Sequence, residues 1–318
     1  MRILFLLLVF VFLNCFPTPV SAQFPDFCNG RPCIQVGTFN IEWFGTTDPT
    51  KHSPRSEQTV ARIAQLITDT LDLEVVVLEE INSQSQEYQW LQNALAHKGY
   101  RMRRVGNSGG EQGVVIAFDA DEVTLLNDNG GNGIREMNVR SNFNLGGGCV
   151  SGGLRLPIVG KFRAGQFDFV LVGVHLKSQR GVDSAGANAD RCSDEIRRAQ
   201  ARDIIAALPN ILHALNDQDV IIAGDFNATL TDPSLNPFFT NGFVSLSHAT
   251  RRAQGSNTIS YLKAPFQEII DHVLIRPVST TEWAARSTFI FRPPSIWLND
   301  YLRFTSDHAP VWTSFVTN

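Results

Sequence analysis

At 318 residues, with 43% hydrophobic and 18% charged side chains, the chain has the balance of an ordinary folded globular protein. This excludes a disordered polyelectrolyte, and the length accommodates one large α/β domain or two smaller ones. A formal net charge of −4 excludes a broadly basic nucleic-acid-coating protein, because phosphate contacts need Lys and Arg, yet it allows a hydrolase with a local basic rim.

The opening MRILFLLLVFVFLNC places one positive charge before a long apolar run, and Val20-Ser21-Ala22 follows. Residues 1–22 therefore read as a secretory signal cleaved before Gln23, which predicts a secreted or periplasmic protein. The apolar core closes at about Phe16, short for a membrane anchor flanked only by Arg2. A lipid-modified Cys15 is disfavoured by the bulk of Asn14. Cleavage removes Arg2 alone among the charged residues, so 27 basic residues become 26 against 31 acidic, a net of −5. It also leaves Cys28, Cys33, Cys149 and Cys192, an even count that in an exported chain implies two disulfides. The expected pairs are Cys28 with Cys33, which share a short loop, and Cys149 with Cys192. A zinc site is disfavoured, since there is no Cys-x-x-Cys and no nearby His.

Residues 23–33 form a Pro-, Asn- and Gly-rich lead-in to a strand over 34–40 that ends on Asn40. Val60, Ile63, Ala64, Ile67 and Leu71 recur at helical spacing within 55–71. Leu73 to Leu78 is a buried strand closing on Glu79-Glu80. A second helix over 85–98 puts Tyr88, Leu91 and Leu95 on one face and stops at Gly99. Strands follow at Gly113 to Phe118 and Phe167 to Val174, separated by a Gly/Asn-rich surface excursion from Asn127 to Gly153. A helix over 194–208 is expected to be disturbed by Pro209. Val220 to Ala223 is an uninterrupted apolar run, a strand buried on both faces. Its chain is expected to turn on Gly224 and present Asp225 and Asn227 on one side. Ile269 to Ile275 and Pro310 to Phe315 supply the last clear strands. Helices alternate with strands early and strands succeed one another later, which predicts one α/β sandwich of two sheets over residues 23–318.

The strand ends share a chemistry. Asn40 with Glu42, Glu80, His175, Asp225 with Asn227, Asp271, and Asp307 with His308 each close an apolar run. Carboxylates, carboxamides and imidazoles gathered in one pocket suit attack of water on phosphorus. Hard oxygens hold Mg²⁺, with Mn²⁺ or Ca²⁺ as alternatives, and imidazoles move protons or steady the phosphorane.

The motifs FNIEWFG (39–45), VLEEIN (77–82), VGVHLKS (172–178), GDFNA (224–228), IDHVLI (270–275) and SDHAP (306–310) resemble those of the endonuclease/exonuclease/phosphatase superfamily. The resemblance, to its deoxyribonuclease I-like and exonuclease III-like branches, spans about Ile34 to Trp312. It implies a four-layer fold of two packed mixed sheets flanked by helices, and Mg²⁺-dependent phosphoester hydrolysis. It implies that Glu80 binds the metal, with Asn40 placing it and Glu42 and Asp307 beside it. Asp225 and Asn227 match the pair that positions the nucleophile and contacts the phosphate. His175 and His308 match the two histidines, Asp271 the acid that orients His308, and Glu111 the acid that orients His175. Arg155 and Lys177 are the candidate phosphate-binding cations.

Other residues take plainer roles. Trp43, Trp90, Trp297 and Trp312 are expected to pack, and His52, His97, His213 and His248 to be surface or ordinary polar positions. His272 should face away from Asp271. Arg101, Arg103 and Arg104 read as a solvated strand edge. The expected activity is that of a monomeric secreted phosphodiesterase, foremost a nuclease acting on DNA or RNA, without stable membrane association. A lipid or small-molecule phosphoesterase, or a non-catalytic binder on the same fold, are the alternatives.

Overall fold

The computed structural model describes residues 26–106, 110–126, 133–179, 189–247 and 258–318. The expected signal segment, His248 and the first part of the Gly/Asn-rich excursion lie outside the described residues. In chain order, β1 (Cys33–Phe44), α1 (Glu57–Gln65), β2 (Val75–Ile81), α2 (Gln86–Ala96), β3 (Tyr100–Arg104) and β4 (Gly113–Asp119) come first. Then come β5 (Thr124–Leu126), β6 (Ile134–Glu136), β7 (Phe143–Asn144), β8 (Val150–Ser151), β9 (Ile158–Ala164), β10 (Phe167–His175) and α3 (Ala189–Leu215). The chain continues through β11 (Val220–Asp225), α4 (Asn236–Phe239), β12 (Val244–Ser245) and β13 (Asp271–Ile275). Last are β14 (Phe289–Ile290), α5 (Leu298–Phe304) and β15 (Val311–Val316).

Two mixed sheets result. The first has the order β14-β15-β1-β2-β4-β3, and the second β12-β13-β11-β10-β9-β5 with β6 alongside β9. The alternation of side chains in β10 and β11 explains the layering. Phe169, Leu171, Ile221 and Ala223 point into the core shared with the first sheet and with α1 and α2. Val170, Val172, Val174, Val220 and Ile222 point the other way, onto Ala201, Ile204, Leu208 and Leu212 of α3. The sheets approach closely at Gly173, where an added Cβ would sit 2.9 Å from Val77 Cγ1. This is the four-layer sandwich the motifs implied.

Local signals set the helix starts. Ser56 and Ser85 cap α1 and α2 by accepting from the Thr59 and Tyr88 amides. Gly99 stops the second helix at φ +86°. Both expected disulfides are present, Cys28 with Cys33 and Cys149 with Cys192. The second ties the Gly-rich excursion to the start of α3.

Three expectations are corrected. Pro209 does not end α3, which runs through it to Leu215, because Leu208, Leu212 and Leu215 continue the buried apolar face. Gly224 is not a turn but a ladder residue of β11, where an added Cβ would strike Val174 O at 1.9 Å. Trp297 is 45% exposed rather than packed, whereas Trp312 is buried and Trp90 leans on the core. His52 is an ordinary polar position, buried against Arg55. His272 faces away from the cleft as expected, with Nε2 2.9 Å from Ala228 O. Arg101, Arg103 and Arg104 lie on the edge strand β3. No helix among the described residues is long and apolar enough to cross a membrane.

Candidate active site

Strand direction brings the six polar strand ends together. β1 runs parallel to β2, and β10 parallel to β11, which sets His175 opposite Asp225. β13 is antiparallel to β11, so its first residue, Asp271, also lies opposite Asp225. β15 is antiparallel to β1, so Asp307 and His308, just before it, reach the same end.

The backbone is unusual where it meets the cleft. Glu42, Glu80 and Asn227 have φ of +26°, +62° and +51°. The β1–β2 register slips between Asn40 and Phe44. A side chain held in the left-handed region costs on the order of 1 kcal/mol, and such residues gather where geometry matters more than local comfort. Polar side chains hold these bends. Asn40 Oδ1 accepts from Glu42 N–H at 3.0 Å, Glu80 Oε2 from Trp43 N–H at 2.8 Å, and Asp225 Oδ1 from Asn227 N–H at 2.7 Å. Glu42 thus faces the cleft through a bulge rather than through simple strand alternation.

Asp225 sits at the centre. Asn40 Nδ2 donates to it at 3.1 Å, Asn227 Nδ2 at 3.2 Å, and His175 Nε2 lies 3.5 Å away. Burial and then the charge of Asp271 push its carboxyl up to about 7, against the opposing pull of His308, the Asn227 N–H and Asn40. Asn40 Oδ1 is turned to Glu42, and its Nδ2 is 3.4 Å from Glu80 Oε1. Asn40 therefore places the carboxylates, as the resemblance implied.

His308 is clamped. Its Nδ1 is 2.9 and 3.1 Å from the two oxygens of Asp271, and its Nε2 is 3.9 Å from Asp225 Oδ2. Ser306 Oγ accepts from His308 N–H at 2.9 Å and donates to Asn40 O at 2.6 Å. Burial alone would lower this imidazole, but Asp271, Asp225 and Asp307 outweigh it and hold its pKa well above the ordinary value. His175 is the opposite case. Burial, then the Arg155 guanidinium, then His308 hold it well below. It is a neutral ring whose proton belongs on Nε2, toward Asp225.

Glu111 does not orient His175. Its oxygens accept from Thr46 Oγ1 at 3.1 Å and Thr47 Oγ1 at 3.2 Å, and His175 Nδ1 is buried without a hydrogen-bond partner among the described residues. The short helical turn over Gly110–Gln112 holds Glu111 over the bend after β1. Arg155 is at the site: it donates to Leu176 O at 3.0 Å and Gln112 Oε1 at 3.3 Å, and its charge is felt by His175, Glu80 and Asp225. Lys177 instead sets Nζ 3.2 Å from the Ser178 hydroxyl, while its amide donates to Gln200 Oε1 at 2.8 Å.

Two further residues had no signal in the sequence. Arg55, buried below the cleft, donates to Ile41 O and Glu42 O at 3.0 and 2.9 Å, and to Thr305 O at 2.9 Å. It pairs with Glu87 at 3.4 Å and so ties the end of β1 to the segment before Asp307. Lys263 contacts Glu42 Oε1 and lies 3.1 Å from Asp307 Oδ2.

The donor set suits a hard divalent cation. Glu80, Glu42 and Asp307 offer carboxylate oxygens, and Glu42 Oε2 is buried with no partner among the described residues. Asp225, Asp271 and His308 also bring one ligand-type atom each to within 4.8 Å of one another. In that trio both oxygens of Asp271 are already turned to His308 Nδ1, at 2.9 and 3.1 Å.

The fold and this cleft together define a phosphoester hydrolase scaffold, two packed sheets whose strand ends meet in an acidic, imidazole-lined groove. The profile of the Endonuclease/Exonuclease/phosphatase family matches residues 37–308, and the chain belongs to that family. Among solved structures the chain is similar to an endonuclease/exonuclease/phosphatase family protein from Bacteroides thetaiotaomicron. That pair shares 18% identity and a TM-score of 0.59, covering 91% of this chain and 99% of the other. The human Nocturnin catalytic domain with bound sulfate anion shares 14% identity at a TM-score of 0.59, covering 90% and 94%. The mannosyl-6-phosphatase Bt3783 of Bacteroides thetaiotaomicron shares 16% at 0.55, covering 88% and 98%. These likenesses establish the fold. No curated protein matches the chain by sequence.

Proposed function

We propose that the protein is an exported, Mg²⁺-dependent phosphodiesterase that cuts nucleic acid. The observation that carries this is the placement of Asp225 between a neutral His175 and a charged His308, 3.5 and 3.9 Å from the two Nε2 atoms. Asp225, raised to about 7, is poised to take a proton from the attacking water near neutral pH. His308, kept protonated by Asp271, offsets negative charge as the phosphoryl oxygens develop it. Asn227 Nδ2 and the Arg155 guanidinium, which meet at Leu176 O, steer the scissile phosphate. Glu80 and the unpartnered oxygen of Glu42 would hold the divalent ion, whose chemistry there is to neutralise phosphoryl charge. The signal-like N-terminus supports export, and the resemblance to the deoxyribonuclease I-like and exonuclease III-like branches, rather than any single motif, supports nucleic acid.

A small-molecule phosphomonoesterase is the second reading, favoured by the fold likeness to a mannosyl-6-phosphatase. A panel of duplex DNA, single-stranded DNA, RNA, sphingomyelin and a sugar phosphate, assayed with Mg²⁺ and with chelator, separates the two. Cleavage of a nucleic acid that stops with chelator and with Glu80→Gln is the expected outcome. Turnover of the sugar phosphate alone would replace the first reading by the second, and inertness toward every ester would end both.

A further inference from the structure

The loop before β13 carries a cation that the chemistry above does not use. Lys263 Nζ contacts Glu42 Oε1 and lies 3.1 Å from Asp307 Oδ2. The contact is built into the backbone. Leu262 N–H donates to Asp307 O at 2.8 Å, Tyr261 forms a β-bridge with His308, and Gln267 Nε2 donates to Leu262 O at 3.0 Å. The lysine is thus registered against the very segment that bears Asp307.

Its partners need a cation. The Glu42 and Asp307 side chains are only 9% and 12% exposed, and their like charges face each other across the Lys263 ammonium. In an acidic phosphoester cleft that cation is either a metal ion or a group of the protein. Here the ammonium engages one oxygen of each carboxylate, while Glu42 Oε2 is left unpartnered. An ammonium only donates, and it brings one positive charge that the chain itself supplies.

We propose that Lys263 stands in for a second divalent ion, bridging Glu42 and Asp307 so that the cleft binds a single ion on its Glu80 side. The inference rests on the metal-dependent reading above and specifies its stoichiometry. A second dication among the same oxygens would meet the ammonium itself and a carboxylate pair whose charge is already halved.

The test counts ions rather than turnover. Mn²⁺ is titrated into the full-length protein and into Lys263→Met, Lys263→Gln and Lys263→Arg, with free Mn²⁺ followed by electron paramagnetic resonance and Mg²⁺ binding by calorimetry. The expected result is one ion per chain for the unaltered protein and Lys263→Arg, lost with Glu80→Gln, and two for Lys263→Met and Lys263→Gln. Two ions in the unaltered protein, or one in the neutral variants, would overturn the proposal and leave the metal-dependent reading standing. No ion at all in the unaltered protein would overturn both. A count of two in the unaltered protein overturns the proposal even where a variant fails to fold.

Discussion

The two histidines of the cleft are buried to nearly the same degree, at 3% and 5% exposure, yet they are driven to opposite protonation states. Burial lowers both, so burial does not decide between them. Neighbouring charge does. His308, before β15, faces Asp271, Asp225 and Asp307, whereas His175, at the end of β10, faces the Arg155 guanidinium. One residue type thus gives a fixed cation and a neutral ring on either side of one carboxylate. A cleft that must both accept a proton and offset negative charge can do so from residues 133 positions apart in sequence, because strand direction and not sequence proximity sets who meets whom.

Removing the charged half should have the largest effect. His308→Ala is expected to lower kcat by about two to four powers of ten, since a positioned charge-stabilising group is lost from a buried site. Asp271→Asn should approach that loss while keeping the shape, because the ring loses the partner that holds its proton and tautomer. Steady-state kinetics with the favoured phosphodiester checks both. An Asp271→Asn enzyme of full activity would mean that His308 acts without its charge.

Titration sharpens the same contrast. By ¹⁵N NMR of the imidazoles, His308 should titrate above and His175 below the free-histidine value of about 6.5. Asp225 must be ionised to act as a base, so kcat/KM should fall about ten-fold per pH unit below its value of about 7. The stability signs also oppose. His308, raised in the fold, stabilises fully below the unfolded value, and that contribution is lost as pH rises through its folded pKa. His175, lowered in the fold, costs stability on acidification, because below about 6.5 the unfolded chain takes the proton first, at about 1.4 kcal/mol per pH unit. Denaturant melts of His175→Gln should therefore show a shallower acid side than the unaltered protein.

The parts of this cleft that were legible in the sequence are those that terminate apolar runs. Val220 to Ala223 reads as a buried strand, so Asp225 reads as its mouth, and the same logic finds Glu80, His175 and Asp271. Residues whose importance comes from contacts across the fold leave no such mark. Lys263 sits in a loop with no periodic pattern and meets Glu42, 221 residues away, only because a β-bridge carries it there. Arg55 looks like an ordinary charge just before a helix, and its grip on Ile41, Glu42 and Thr305 carbonyls appears only once β1 and the Asp307 segment are side by side. β9 was hidden because Gly160 and Lys161 interrupt its apolar run. Lys161 is nevertheless buried, held between Asp168 at 2.9 Å and Asp217 at 3.1 Å. Positive φ at Glu42, Glu80 and Asn227 is likewise a tertiary outcome that residue type does not announce.

Arg155 gives a smaller effect than His308. It is held by Leu176 O at 3.0 Å and Gln112 Oε1 at 3.3 Å, so its charge is fixed beside the neutral histidine. Arg155→Met should raise KM by roughly ten-fold, as expected when one charge-assisted contact to phosphate goes. It should also let the His175 pKa climb, because the cation that opposes its protonation is removed. A change in KM without movement of His175 in the NMR titration would separate phosphate binding from electrostatic control.

The smallest effect is expected at Glu111, and it bears directly on why the two histidines differ. If a carboxylate oriented His175 as Asp271 orients His308, both rings would be drawn toward the charged state and the asymmetry would collapse. Glu111 accepts from Thr46 and Thr47 at 3.1 and 3.2 Å, and His175 Nδ1 has no partner among the described residues. Glu111→Gln keeps an acceptor for one threonine hydroxyl and removes a charge that His175 does not contact. Activity should stay within about two-fold, stability should shift by no more than about 1 kcal/mol, and the His175 titration should not move. A loss of a hundred-fold or more would show that Glu111 swings to His175 when substrate binds, and the neutral half of the cleft would then be neutral only until it is filled.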